Sequence, residues 1–149
     1  MYKRQVFDEV ITGFGRTGKP FASETFDVTP DIITMAKALT NGAIPMGAVA
    51  VKDNIYETVT NASPENAIEF FHGYTYSAHP AACAAGIATQ KFYQEEGLFD
   101  RAADMSEYFL DAVWSLKDHE LVGDLRGYGM MAGVEIKHCL LYTSPSPRD

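Results

Sequence analysis

The chain has 149 residues, 46% hydrophobic and 21% charged, enough for one domain with a core and ordinary for a soluble globular protein. Its formal charge of -8 argues against a nucleic-acid or anionic-membrane partner, no apolar run is long enough to span a bilayer, and no signal peptide opens it. Two cysteines, Cys83 and Cys139, give no disulfide framework, so a reducing cytoplasm is the expected compartment.

The two ends differ from what lies between them. The run from Cys139 to Asp149 is polar and proline-bearing and reads as a translation of a widely used transposon sequencing adapter. Met1 to Gln5 reads as the opposite strand of the same element, with GTG as the start codon. Both ends are therefore read as foreign sequence, with an ordinary flexible tail as the alternative, and are excluded from fold reasoning. Without Lys3 and Arg4, and with Arg148 and Asp149 cancelling, the formal charge goes from -8 to -10.

Val6 to about His138 then reads as an internal piece of a longer protein. It opens on an apolar strand, Val6-Phe7, followed at once by Asp8-Glu9. Thr12 to Gly18 is a glycine-rich loop, and Pro30 marks a further break. Asp31 to Met35 reads as a short strand, Ala36 to Leu39 as a turn or helical start, and Gly47 to Val51 as a second strand of small residues. Ser63 to Asn66 form a polar loop. Pro80 suits a first helical turn, and Ala81 to Phe92 is rich in alanine. Gly97 interrupts that helix, and Leu98, Ala102, Met105, Phe109, Ala112 and Leu116 then recur at helical spacing. Met130 to Ile136 has strand character. Strands alternating with helices predict an α/β architecture.

Four features carry candidate chemistry. Lys37 is the only charged side chain between Asp31 and Lys52, set among Ile32, Ile33, Met35, Ala36, Ala38 and Leu39. A lysine so placed is expected to be desolvated, which lowers its pKa and frees a nucleophilic amine suited to Schiff-base chemistry with an aldehyde. On composition alone, a lysine snorkelling to water from a buried strand end accounts for it better. Asp8 ends an apolar strand, at the edge where open α/β sheets bind ligands. It could pair with a protonated pyridine nitrogen, or cap a neighbouring turn. Gly13 to Gly18 fits G-x-G-x-x-G after a strand, but no helical periodicity follows Lys19-Pro20-Phe21, so the glycines read as a tight connection. Thr75, just before the alanine-rich helix, suits a phosphate, although capping by Thr75 or Ser77 explains it as well. His72 and His79 lack carboxylate or cysteine partners at ligand spacing and read as structural, so no metal is expected.

Together, Asp8 to Gly18, Thr34 to Gly42 and Gly73 to Pro80 resemble, in order and approximate spacing, the class III (omega) aminotransferases, of fold type I among the pyridoxal-phosphate enzymes. The likeness runs over essentially all of residues 6–138. Asn41 to Gly47 and Phe71 to Pro80 look closest to the omega-amino acid (β-alanine):pyruvate aminotransferases, with GABA, ornithine or taurine types as alternatives within the family.

The resemblance implies pyridoxal 5'-phosphate as cofactor, with Lys37 as its Schiff-base lysine and proton carrier. It implies Asp8 on the pyridine nitrogen, Val10 against the ring, and Thr75 on the phosphate of a cofactor held by a neighbouring subunit. Active sites in this family lie at a dimer interface, so a homodimer or homotetramer is implied. The reaction implied is transfer of an amino group from an omega-amino acid or amine to pyruvate. On this reading residues 6–117 are part of the large cofactor domain and 118–138 begin the small C-terminal domain, flanked by the foreign 1–5 and 139–149. The family's upstream phosphate-binding loop, its ring-stacking aromatic residue and its carboxylate-binding arginine are not in this sequence, so the chain alone is expected to be inactive.

From a different class comes a nucleotide-binding module built on Gly13 to Gly18, which requires a helix directly after Gly18. A geometric check applies to the first reading: Asp8 and Lys37 should converge on one cleft that accepts a pyridine ring.

Overall fold

Three short apolar segments in the first third of the chain form one mixed sheet. The computed structural model describes residues 3–68, 70 and 74–137, so the expectations for His72 and for 139–149 lie outside the described residues. Strand β1 (Val6–Asp8) pairs in parallel with β2 (Ile32–Met35), with Asp8 opposite Thr34. Strand β3 (Ala48–Val51) pairs antiparallel to β2, so β2 is central. β-Branched residues supply much of this pairing: Ile32 faces Val51 and Thr34 faces Val49.

Between β1 and β2 lie the glycine loop and α1 (Ala22–Thr25), a single turn. After β2 the chain tightens into a 3-10 turn at Lys37–Leu39. Helix α2 (Asp53–Asn61) follows β3 and was not expected, because polar and β-branched residues mask the helical spacing of Ile55, Tyr56 and Val59. Helix α3 (Pro80–Glu95) starts with proline at its first position, where the missing N–H costs nothing. Gly97, in the left-handed region at φ 59°, separates it from α4 (Leu98–Trp114).

The chain ends its described part in a hairpin of β4 (Val122–Tyr128) and β5 (Met131–Ile136). Strand β5 matches the sequence expectation. Strand β4, with Gly123, Asp124 and Gly127, carries strand-breaking residues and was not foreseen; cross-strand pairing with β5 overrides that local preference. The two-residue connection places Gly129 at φ 58°, the conformation a tight hairpin requires.

The described core is small. Among apolar residues Ala22, Ala82, Tyr93 and Val122 are buried, while Glu9, Ser23 and Thr40 are buried polar residues. Large apolar side chains such as Val49, Val51, Ile87 and Ile136 are exposed. The mixed helix and strand content agrees with the α/β expectation.

Candidate active site

Lys37 sits where β2 leaves the sheet and turns back under α3. Its φ of 47° is left-handed, a region that a residue with a long side chain adopts only when its surroundings fix it. Here they do. The Lys37 carbonyl accepts the N–H groups of Thr40 (3.3 Å) and Gly42 (3.2 Å), and the Leu39 N–H donates to the Ala36 carbonyl (3.0 Å). The next two carbonyls receive side chains from α3: Tyr93 Oη donates to Ala38 (2.9 Å) and Gln90 Nε2 to Leu39 (3.2 Å). Thr40, almost fully buried, donates through Oγ1 to the Ile44 carbonyl at 2.7 Å. The turn is thus closed from both sides.

The side chain of Lys37 opens on a cleft of about 660 Å³, within the range of small-molecule sites. Val10, Arg16 and Asn41 line it, together with Phe109 of α4 and Met131 of β5. No carboxylate is among its lining residues, and two cations are. The desolvation expected of Lys37 is not found: its residue is exposed, because the turn carries it to the rim of the sheet and not into the core.

Asp8 departs from expectation as well. It is exposed and does not line the cleft, so it shares the sheet end with Lys37 but not the cavity wall. Its Oδ1 accepts the Val10 N–H at 3.0 Å and the Thr34 hydroxyl at 3.5 Å, which holds the carboxylate along the end of the sheet. Asp8 and Lys37 therefore lie at the same end of neighbouring parallel strands. Val10 bridges the two by its backbone bond to Asp8 and its place in the cleft wall.

Sequence reasoning passed over Glu9, which is 1% exposed. Its Oε1 accepts the Ser23 N–H (2.8 Å), and its Oε2 accepts the Ala22 N–H (3.0 Å) and the Thr12 hydroxyl (2.5 Å). The carboxylate satisfies the first amides of α1 and pins both ends of the glycine loop. Strand alternation was the available signal, since adjacent side chains at a strand end point to opposite sides.

The glycine loop is a packing device. At Gly15 (φ 102°) a Cβ would meet the Phe99 ring at 2.8 Å, and at Gly18 (φ 86°) it would meet Ala103 at 2.9 Å. Both partners are on α4. The first helix after Gly18 starts only at Ala22 and has four residues, which counts against the nucleotide-binding module.

Thr75 lies exposed in the turn before α3 and lines neither this cleft nor the adjoining one against α4. The N-cap of α3 is His79 with no side-chain cap, so neither Thr75 nor Ser77 caps the helix. No helix among the described residues is long and apolar enough to cross a membrane.

The convergence expected of Asp8 and Lys37 on one cleft is thus not met, because Asp8 stands beside the cleft; Lys37 and Val10 within it fit a pyridoxal group. A lysine amine and a branched apolar side chain share one cleft of suitable size, and Asp8 Oδ2, at the same sheet end, has no hydrogen-bond partner among the described residues.

Comparison with known proteins extends this. The profile for Aminotransferase class-III matches residues 5–141. The chain is 56% identical over 132 residues to an omega-aminotransferase of Caulobacter vibrioides, covering 89% of this chain and 30% of that protein. It is 51% identical to an omega-amino acid--pyruvate aminotransferase of Pseudomonas putida, covering 88% of this chain and 29% of the relative. A crystal structure of an (S)-enantioselective omega-transaminase from Thermomicrobium roseum superposes with a TM-score of 0.81 at 42% identity, over 89% of this chain and 29% of that one. The chain thus spans about 30% of the length of the curated relatives it matches.

Proposed function

Since the chain belongs to the class III aminotransferases, a family of pyridoxal-phosphate enzymes, we propose that it forms part of a transaminase moving an amino group from an omega-amino acid or amine, such as β-alanine, to pyruvate. The observation that carries this reading is the shared cleft of Lys37 and Val10 at the end of β1 and β2.

Pyridoxal phosphate, when bound, supplies an aldehyde that takes up an amine and a ring that withdraws electrons from the bond being broken. In this reading Lys37 Nζ would be the amine that holds the aldehyde and, when free, would serve as the base that takes and returns a proton. Asp8, with Oδ1 anchored by Val10 and Thr34 at the same sheet end, would have Oδ2 to offer a protonated ring nitrogen and would favour its charged form. Val10, in the wall of the same cleft, would pack on the ring and exclude water from one face. The clamped turn keeps the Lys37 backbone in place, so its amine reaches the cleft without a conformational search by the chain. Thr75 is assigned to the phosphate of a neighbouring subunit's cofactor, which implies a homodimer or homotetramer. Residues 6–117 belong to the cofactor domain and 118–138 begin the small domain.

The test is chemical trapping. The chain is mixed with pyridoxal phosphate, reduced with borohydride and digested, and the pyridoxyl mark is mapped by mass spectrometry. The mark should concentrate on Lys37 and vanish from that peptide in Lys37→Ala. A mark spread evenly over Lys37, Lys52 and Lys91 would sink the assignment. In the whole protein, β-alanine and pyruvate should yield alanine, and Lys37→Ala should abolish it.

A further inference from the structure

The turn that carries Lys37 is held by two side chains that take no part in the chemistry proposed for it. Tyr93 and Gln90 lie three residues apart on α3, so they share one face of the helix. They donate to the carbonyls of Ala38 (2.9 Å) and Leu39 (3.2 Å), the two residues directly after Lys37. Neither carbonyl has another donor among the described bonds of the turn. A 3-10 turn of three residues leaves such acceptors free, and side chains from a neighbouring helix are an uncommon way to satisfy them.

We propose that Tyr93 and Gln90 are positioning residues for Lys37, fixing the left-handed turn that presents its amine to the cleft. The inference rests on reading Lys37 as the cofactor lysine. Three further observations support it. Tyr93 is among the few buried large residues, and its ring packs against Phe99 at 5.5 Å, so its hydroxyl has little freedom to leave Ala38. Burial pushes the Tyr93 hydroxyl above its ordinary value, with Arg16 opposing, so it stays a donor through neutral pH. The φ of 47° at Lys37 is a conformation that relaxes unless its flanking carbonyls are held.

Two readouts on the same samples test this. The first is amide hydrogen exchange at Thr40 and Gly42, both of which donate to the Lys37 carbonyl. In Tyr93→Phe, which keeps the ring and its packing, exchange there should quicken about fivefold, the equivalent of one lost hydrogen bond. Amides of β2 should hold their rates. Gln90→Met, which keeps the side chain's length, should quicken the same amides less.

The second readout is the share of trapped pyridoxyl mark on Lys37 relative to Lys52 and Lys91. That share should fall severalfold in Tyr93→Phe and be lowest in the double variant. Unchanged exchange overturns the proposal whatever Lys37 does. Faster exchange with an unchanged Lys37 share also overturns it, leaving Tyr93 as a structural tie only. If the unaltered chain shows no preference for Lys37, the proposed function fails, while the exchange result still decides whether α3 holds the turn. Should Tyr93→Phe lose its helical circular dichroism, Gln90→Met alone decides.

Discussion

The ends of the β1–β2–β3 sheet and the β4–β5 hairpin are built on opposite plans. Around the sheet ends, side chains satisfy backbone: Glu9 serves α1 and the glycine loop, while Tyr93 and Gln90 serve the Lys37 turn. In the hairpin, backbone satisfies backbone. Its side-chain ties are exposed ion pairs of Arg126 with Glu135 (2.9 Å) and Asp124 (3.3 Å), and of its residues only Val122 and Gly129 are buried. An isolated two-stranded hairpin is marginal in water. This one is steadied from outside, by Leu110 and Trp114 of α4 against Gly127 and by Met130 N–H donating to the Arg16 carbonyl at 2.8 Å. The lesson is that the glycine loop, although remote in sequence, is the joint on which the hairpin hangs.

The largest way to break that relation is at the joint itself. Gly129 has φ 58°, and a Cβ there would overlap the Arg16 carbonyl, which belongs to fixed backbone. Gly129→Ala should cost roughly 3 kcal/mol from left-handed strain and overlap combined, measured by urea unfolding. It should also quicken amide exchange throughout β4 and β5 before the sheet responds.

A smaller effect is expected on the other plan. Glu9→Gln leaves volume unchanged but turns one acceptor into a donor facing the Ser23 or Ala22 N–H. The cost should be roughly 2 kcal/mol for a buried amide left unsatisfied, again by urea unfolding. A loss at the hairpin as large as that at α1 would show that the two regions are not separate.

How much of this was legible in the sequence follows the same division. Strands β1, β2 and β3 announced themselves by apolar and β-branched runs, and α3 and α4 by alanine content, proline and helical spacing. Lys37 and Val10 were found by motif, and the structure puts them in one cleft. Asp8 was placed at the right strand end. That it stands beside the cleft and not in its wall was hidden, because a carboxylate's direction depends on the Val10 and Thr34 bonds. Glu9, Tyr93 and Gln90 escaped notice because each acts on backbone far along the chain, and pairwise contacts across 13 to 55 residues leave no local period. Strand β4 escaped because its partner, and not its residues, makes it a strand.

The smallest effect is a titration at the other end of the sheet from Lys37. Asp31 is held below its ordinary value first by the Gln5 N–H and then by Lys52, whose amine lies at 3.1 Å. The Gln5 bond is made by backbone, so it forms whatever residue stands there. A depressed carboxylate stabilises the fold above its unfolded value and loses that contribution as pH falls through its lower folded value. Asp31→Asn should therefore lower the thermal midpoint slightly at neutral pH, and the gap should close below about pH 3.8. A gap that persists in acid would assign the effect to packing.

The left-handed backbone at Lys37 carries a further consequence. Asparagine tolerates that conformation more readily than lysine, by roughly 1 kcal/mol. A Lys37→Asn chain should melt at a higher temperature than the unaltered one while losing the trapped mark altogether. Heat tolerance and reactivity then pull this one position in opposite directions: the residue that the chemistry demands is not the one that its backbone conformation favours.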